Sequence, residues 1–251
     1  MFGLFKRKRK EEVDTRIIEF YYDTIAVDMH SHVLPGIDDG AQTVEESIVL
    51  IQKMMDLGIK KIIATPHIMA DLYKNTPETI SASLDLLKAK LVEERMDIDI
   101  SAAAEHLFDE LFEQRIDEGS LLTMGDNYVL FELSFVSKPL HLIDTIKKMR
   151  AKGYQPILAH PERYPYLTMK EYVEIREWGS LLQINTNSLC GYYGHAARQA
   201  AEELIDAQMI DFISSDMHHP RHADAFEQTL KEPYLKKLIF EQETLKNKLL
   251  L

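Results

Sequence analysis

Short apolar runs alternate with longer amphipathic stretches along nearly the whole chain, and this alternation confines the fold more than any other feature. The short runs are Ile25–Met29, Lys61–Ala64, Ile98–Ala102, Tyr128–Leu133, Pro156–Ala159, Leu181–Ile184 and Ile210–Ser214. They have strand length, and most carry β-branched or aromatic residues. Between them helical spacing recurs. Thr43–Leu57 sets Val44, Ile48, Ile51, Met54 and Met55 near one face and stops at Gly58. Pro77–Glu94 opens on a Thr76-Pro77 start and runs through Ile80, Leu84, Leu87 and Leu91. His106–Glu118, Pro139–Lys152, Thr168–Trp178 and His195–Gln208 read the same way. Strand–helix alternation implies right-handed crossovers and a parallel sheet. Seven units fall one short of the usual eight-stranded barrel, and a doubly wound open sheet stands beside it as an alternative.

The polar residues favour the barrel. The first run ends Asp28-Met29-His30-Ser31-His32, and strand alternation puts Asp28, His30 and His32 on one face. The next runs end in His67, in Glu105 and in Glu132. The fifth leads into His160-Pro161-Glu162-Arg163, the sixth into Asn185 and the seventh into Asp216-Met217-His218. In a barrel these C-terminal strand ends meet around one rim, where active sites of that architecture lie. A single histidine such as His67 or His160 reads as a hydrogen-bonded core residue. A ligand-type residue after nearly every strand reads as a metal cluster. His106, His141 and His195 fall in helical segments and are expected on the surface. The donors are nitrogen and oxygen without thiolate, which suits Mn²⁺, Fe²⁺ or Zn²⁺. Their number exceeds one ion's needs, so two or three ions are expected.

Composition limits the partners. With 29 Lys+Arg against 41 Asp+Glu, the formal net charge is −12, which disfavours general nucleic-acid binding. An anionic substrate then needs a local cation, and a metal cluster supplies one. The one cysteine, Cys190, cannot form an intramolecular disulfide, so a reducing, cytoplasmic setting is expected. It also excludes cysteine-dependent phosphatase chemistry. That chemistry needs Cys-x5-Arg, and Ala196 stands where the arginine belongs, so Cys190 reads as a packing residue. An apolar run long enough to span a membrane is lacking. Residues 1–24 read as a basic tail and lead-in, with five basic residues over Lys6–Lys10, and 25–251 as a single domain. The tail fits either a solvated end or a weak contact with an anionic membrane surface or partner.

At these residues the chain resembles the PHP superfamily (polymerase and histidinol phosphatase). Within it, the chain is similar to the manganese-dependent protein tyrosine phosphatases encoded with bacterial capsule and exopolysaccharide systems. The resemblance rests on Asp28-Met29-His30-Ser31-His32, Pro35-Gly36-Ile37-Asp38-Asp39-Gly40, Thr65-Pro66-His67, Ala104-Glu105 and Phe131-Glu132. It continues through Ala159-His160-Pro161-Glu162-Arg163-Tyr164 and Ser214-Ser215-Asp216-Met217-His218. It implies a distorted seven-stranded parallel barrel with the metal site at the C-terminal rim. It further implies a first ion held by His30, His32, Glu105 and Asp216, and a second by Glu105, Glu132 and His160. A third falls to His67, His218 and Asp39, with Asp38 as the alternative to Asp39. Asp28 would orient a ligating imidazole from behind. Arg163 would bind the substrate phosphate, with Arg221 as a second candidate.

The implied activity is hydrolysis of phosphotyrosine on a protein, the implied partner being a capsule-assembly tyrosine kinase. A metal-activated hydroxide would attack phosphorus without a covalent enzyme intermediate. The segments Met69–Thr76 and Ser188–Gly194 would frame the entrance. A small-molecule phosphatase such as histidinol phosphatase is the alternative on the same fold. A metal-binding module without catalysis is another, which the intact donor set argues against.

Overall fold

All seven apolar runs form strands, and every strand pairing is parallel. The computed structural model describes residues 20–251, so the basic run Lys6–Lys10 lies outside the described residues. In chain order the strands are β1 (Val27–Asp28), β2 (Lys61–Ala64), β3 (His67–Ile68), β4 (Asp99–Ala102) and β5 (Glu105–Leu107). They continue as β6 (Tyr128–Glu132), β7 (Gln155–Ala159), β8 (Leu181–Asn185) and β9 (Phe212–Ser214). The short β3 and β5 prolong β2 and β4 past Thr65-Pro66 and Ala103-Ala104. Pro66 has no N–H to give a ladder, yet its carbonyl still accepts from the Glu105 amide at 3.1 Å. Each broken strand therefore delivers a ligand-type residue, His67 or Glu105, just beyond its break.

The strands divide into a three-stranded sheet, β1-β2-β4, and a six-stranded sheet, β3-β5-β6-β7-β8-β9. The outer strands β1 and β9 are joined by individual contacts instead of a ladder. Ser31 and Met217 form an isolated parallel bridge, and the Asp216 amide donates to the His30 carbonyl at 2.9 Å. Lower down, the Asn247 amide donates to the carbonyls of Val27 (3.0 Å) and Ile213 (2.7 Å).

The crossover helices are α1 (Val44–Asp56), α2 (Pro77–Glu93), α3 (Glu110–Glu118), α4 (Leu142–Ala151) and α5 (Met169–Glu177). After them come the single turn α6 (Thr186–Leu189), then α7 (His195–Asp206), α8 (Pro220–Thr229) and α9 (Pro233–Phe240). Their starts are chemically marked. Thr43 accepts from the Glu46 amide, Asp109 accepts from the Phe112 amide, and Thr76 and Thr168 close capping boxes.

Among the described residues, two apolar clusters form the core. Val27, Met29, Ile63, Leu130, Ile157 and Phe212 belong to one, with Leu250 from the C-terminal turn. The larger cluster packs the helices onto the sheets through residues such as Ile51, Ile62, Phe131, Leu158 and Ile184. On β6, Leu130 and Glu132 share one face, so a strand that contributes to the inner cluster ends in a carboxylate.

Three differences from the sequence expectations stand out. His106 lies on β5 and is buried, not on an exposed helix; Asp109 starts α3 three residues further on. The helices α8 and α9 were not anticipated. Within the lead-in, Tyr22 is fully buried, stacks on Phe226 with ring centroids 3.9 Å apart, and donates to the Phe226 carbonyl at 2.9 Å.

Candidate metal centre

The C-terminal strand ends bring His30, His32, Asp39, His67, Glu105, Glu132, His160, Asp216 and His218 into one cluster. Hydrogen bonding fixes which nitrogen His30, His32 and His218 turn inward. The Nδ1 of His30 faces the Gln183 Oε1 acceptor at 2.9 Å and must carry the proton. The Nδ1 of His32 faces Asp38 Oδ2 at 2.7 Å and does the same. Both Nε2 atoms then present lone pairs, and they stand 3.3 Å apart. Glu105 Oε2 lies 3.1 Å and 3.3 Å from them, and Asp216 Oδ1 3.3 Å and 3.4 Å. Four electron-pair donors converging in a buried site repel one another unless a cation sits among them.

A second group contains His32, Asp39, His67 and His218. Asp39 Oδ1 lies 3.4 Å from His67 Nε2 and 3.5 Å from His218 Nε2. The His218 Nδ1 donates to the Asp216 carbonyl at 2.8 Å, which again turns Nε2 inward. The remaining groups are His30–Glu105–His160 and His67–Glu105–Glu132, with Glu105 common to both. His160 Nε2 is 3.0 Å from Glu105 Oε1 and 3.8 Å from Glu132 Oε2. Glu105 Oε2 and His67 Nδ1 are buried without hydrogen-bond partners, as expected of atoms placed for metal ions.

Asp38 and Asp39 divide the work between them. Asp38 is buried and occupied: it accepts from His32 Nδ1, from the Gly40 amide at 2.9 Å and from the His67 amide at 3.1 Å. Asp39 is the freer carboxylate and faces the two imidazoles. The turn that carries them presses on the first strand so closely that a Cβ on Gly40 would sit 2.0 Å from the His32 carbonyl oxygen. Glycine is required there for close backbone approach. His160 and Asp216 take left-handed backbone conformations, with φ of 32° and 52°. Such strain in non-glycine residues clusters at functional sites.

The electrostatics follow the crowding. Burial alone would raise Glu105, but the imidazoles of His30 and His67 hold it well below the usual carboxylate range. Burial and the Glu105 and Asp216 carboxylates push its neighbour Glu132 well above that range. Burial, with the neighbouring His32 imidazole, brings His67 down to about 4. Against burial, His218 and His67 hold Asp39 down at about 2.

Asp28 does not orient an imidazole. Its carboxylate accepts from Ser214 Oγ and the Ser215 amide, both at 2.9 Å, and so ties β1 to β9. The orienting groups are Gln183 and Asp38. Gln183 escaped sequence reasoning, although a polar residue within Leu181–Asn185 was the available signal.

Arg163 stands at the edge of the cleft. Its guanidinium lies between the rings of Phe135 (4.5 Å) and Tyr193 (4.4 Å), and one nitrogen is 3.2 Å from Asp216 Oδ2. Arg221, on the first turn of α8, is exposed and is not among the cleft-lining residues; His219 and His222 are. The two expected entrance segments do flank the cleft. Tyr73 stacks on His67 with centroids 5.6 Å apart, and Tyr193 forms part of the wall. Among the described residues, no helix is long and apolar enough to cross a membrane.

Fold and site together define a parallel α/β protein with a candidate polynuclear metal centre at its strand ends. The chain belongs to the CpsB/CapC family of capsular polysaccharide synthesis, whose model matches residues 26–241. It is 32% identical to the tyrosine-protein phosphatase YwqE of Bacillus subtilis over 197 residues, 77% of each chain. It is 24% identical over 201 residues to the tyrosine-protein phosphatase CpsB of Streptococcus agalactiae, covering 77% of this chain and 83% of that one. A solved structure from work on YwqE of B. subtilis and CpsB of Streptococcus pneumoniae, metal-dependent tyrosine phosphatases, superposes with a TM-score of 0.80 at 29% identity. That match covers 90% of this chain and 94% of the other. Histidinol phosphate phosphatase of Lactococcus lactis shares the fold, with a TM-score of 0.52 at 15% identity over 82% of this chain and 92% of that one.

Proposed function

We propose that the protein is a metal-dependent tyrosine-protein phosphatase acting on a phosphotyrosine protein of capsule assembly, namely the tyrosine kinase of that system. The observation that carries this is the convergence of four potential ligand atoms of His30, His32, Glu105 and Asp216, beside a guanidinium held at the cleft edge. Family membership supports the substrate class.

Mn²⁺ is the proposed ion, in two or three sites, with Fe²⁺ and Zn²⁺ as alternatives for the same nitrogen–oxygen donors. His30, His32, Glu105 and Asp216 would hold the first. Glu105, Glu132 and His160 would hold the second, and Asp39, His67 and His218 the third. When bound, the ions supply an activated water and neutralise phosphate charge. Arg163 offers a planar fork of N–H donors to the phosphate oxygens. Phe135 and Tyr193 fix the plane of that fork, so little side-chain freedom is lost on binding. Phe135 also covers His160, and Tyr73 covers His67, which limits water at those imidazoles. A tyrosyl phenolate, with a pKa of about 10, leaves with less need of a proton than an alkoxide.

The same reading takes the two sheets as one distorted seven-stranded barrel, supported by the contacts along the β1–β9 seam. Cys190 as a free thiol supports action in the cytoplasm. The test is a panel of phosphotyrosine peptide, phosphoserine peptide and histidinol phosphate, assayed with Mn²⁺ and with chelator. Metal-dependent turnover of phosphotyrosine above the other two is expected. Full activity in chelator, or preference for histidinol phosphate, would refute the proposal.

A further inference from the structure

Behind the wall of the metal cleft lies a second cavity of about 440 Å³. Arg163 and Tyr193 line both hollows, so the partition is a single layer of side chains. The second cavity is walled by Leu167, Met169, Tyr172, Ala197, Ala200 and Leu204. On α7 the spacing of Ala197, Ala200 and Leu204 places them on one face. Two of these are alanines, and they leave open the space that larger residues would fill. A water occupies about 30 Å³, so the cavity has room for a large side chain. The exposed Glu203 and the buried Glu162, whose Oε2 has no hydrogen-bond partner, also border it and would disfavour an acidic occupant.

We propose that this cavity is a specificity subsite, taking an apolar side chain two positions from the phosphotyrosine of the substrate. The inference rests on the phosphatase reading above and deepens it. In an extended segment, side chains two apart project to the same side, about 7 Å from one another. Arg163 and Tyr193 line both hollows and so set them side by side, as such a pair of side chains requires. With phosphate against the Arg163 guanidinium on the cleft side, the side chain two positions away reaches the cavity across the Tyr193 ring. Burial of an apolar group there strengthens engagement of the peptide without touching the reacting atoms.

The test uses metal-loaded full-length protein and short phosphotyrosine peptides carrying Leu, Ala or Glu at each position within two residues of the phosphotyrosine. Free phosphotyrosine serves as the substrate too small to reach the cavity. The wild type should prefer Leu to Glu at one position two residues from the phosphotyrosine by roughly tenfold or more in kcat/KM. Ala200→Phe fills the cavity from α7, and Ala196→Trp, a substitution at an exposed position, fills it from the rim. In either variant the loss on the Leu peptide should exceed the loss on free phosphotyrosine by about tenfold, collapsing the positional preference. Absence of any preference in the wild type overturns the subsite, as does a preference that survives in both folded variants. Failure of the metal-loaded wild type on every phosphate ester, free phosphotyrosine included, would instead overturn the phosphatase reading and the subsite with it.

Discussion

Replacing Asp38 by asparagine isolates the contribution of the group behind His32. The carboxylate accepts from His32 Nδ1 at 2.7 Å, from the His67 amide at 3.1 Å and from the Gly40 amide at 2.9 Å. An amide has one acceptor and one donor end. Turned one way, its NH₂ meets the Gly40 N–H. Turned the other way, it faces the His67 N–H, and His32 must accept at Nδ1 and move its proton to Nε2. The first orientation leaves one buried donor unpaired and removes the charge that makes the imidazole basic. The second also removes an inward lone pair. A charge-assisted hydrogen bond of this kind contributes about 1.5–3 kcal/mol. Loss of such an orienting group typically weakens metal binding 10–100-fold, or about 1.4–2.7 kcal/mol, and the two figures agree. Titration calorimetry of Mn²⁺ into Asp38→Asn should therefore show an affinity 10–100-fold below wild type, with circular dichroism reporting a retained fold. A folded variant binding Mn²⁺ within twofold of wild type would refute the reasoning.

Other outcomes are equally open to measurement. His160→Ala should abolish phosphotyrosine turnover while the thermal transition persists; retained activity would remove His160 from the centre. Arg163→Ala should raise KM for phosphotyrosine at least tenfold, and unchanged steady-state constants would dismiss its phosphate contact. Asp28 is fully buried, and burial raises its carboxyl from the ordinary 3.8 to about 6. Folding therefore favours the protonated acid, so this contribution is whole below pH 4 and is lost as pH rises through 6. In chelator, the stability of wild type relative to Asp28→Asn should fall by about 3 kcal/mol between pH 4 and pH 7, followed by urea unfolding. A flat difference would show that Asp28 stays ionised.

The strands that the seven apolar runs form were legible because each run is short and adjoins a helical pattern, and Lys61–Ala64 matches β2 residue for residue. Most of the clustered His, Asp and Glu residues stood out because they follow those runs closely, whereas Asp39, ten residues past Met29, was reached only through the family resemblance. The extensions β3 and β5 were not, since two or three residues beyond a proline or an alanine pair carry no periodicity. His106 was misplaced because Phe108, Leu111 and Phe112 extend a helical pattern back towards it; Asp109, which caps the helix, was the overlooked boundary. Helix α8 hid for another reason. It buries His222, Ala223, Ala225, Phe226 and Thr229, mostly small or polar groups that leave little apolar signal. Gln183 shows a similar limit: an amide inside a strand announces polarity, but only coordinates reveal that it faces His30 Nδ1.

Gly40 carries a consequence for how the centre tolerates change. Main chain touches main chain there, so the turn bearing two consecutive acids is seated directly on the carbonyl of His32. Adding one methyl group would lift the turn away, moving the brace behind one imidazole and the carboxylate facing two others in a single displacement. The least forgiving position in the cluster is thus one with no donor atom to offer, and its importance comes from the volume it leaves empty.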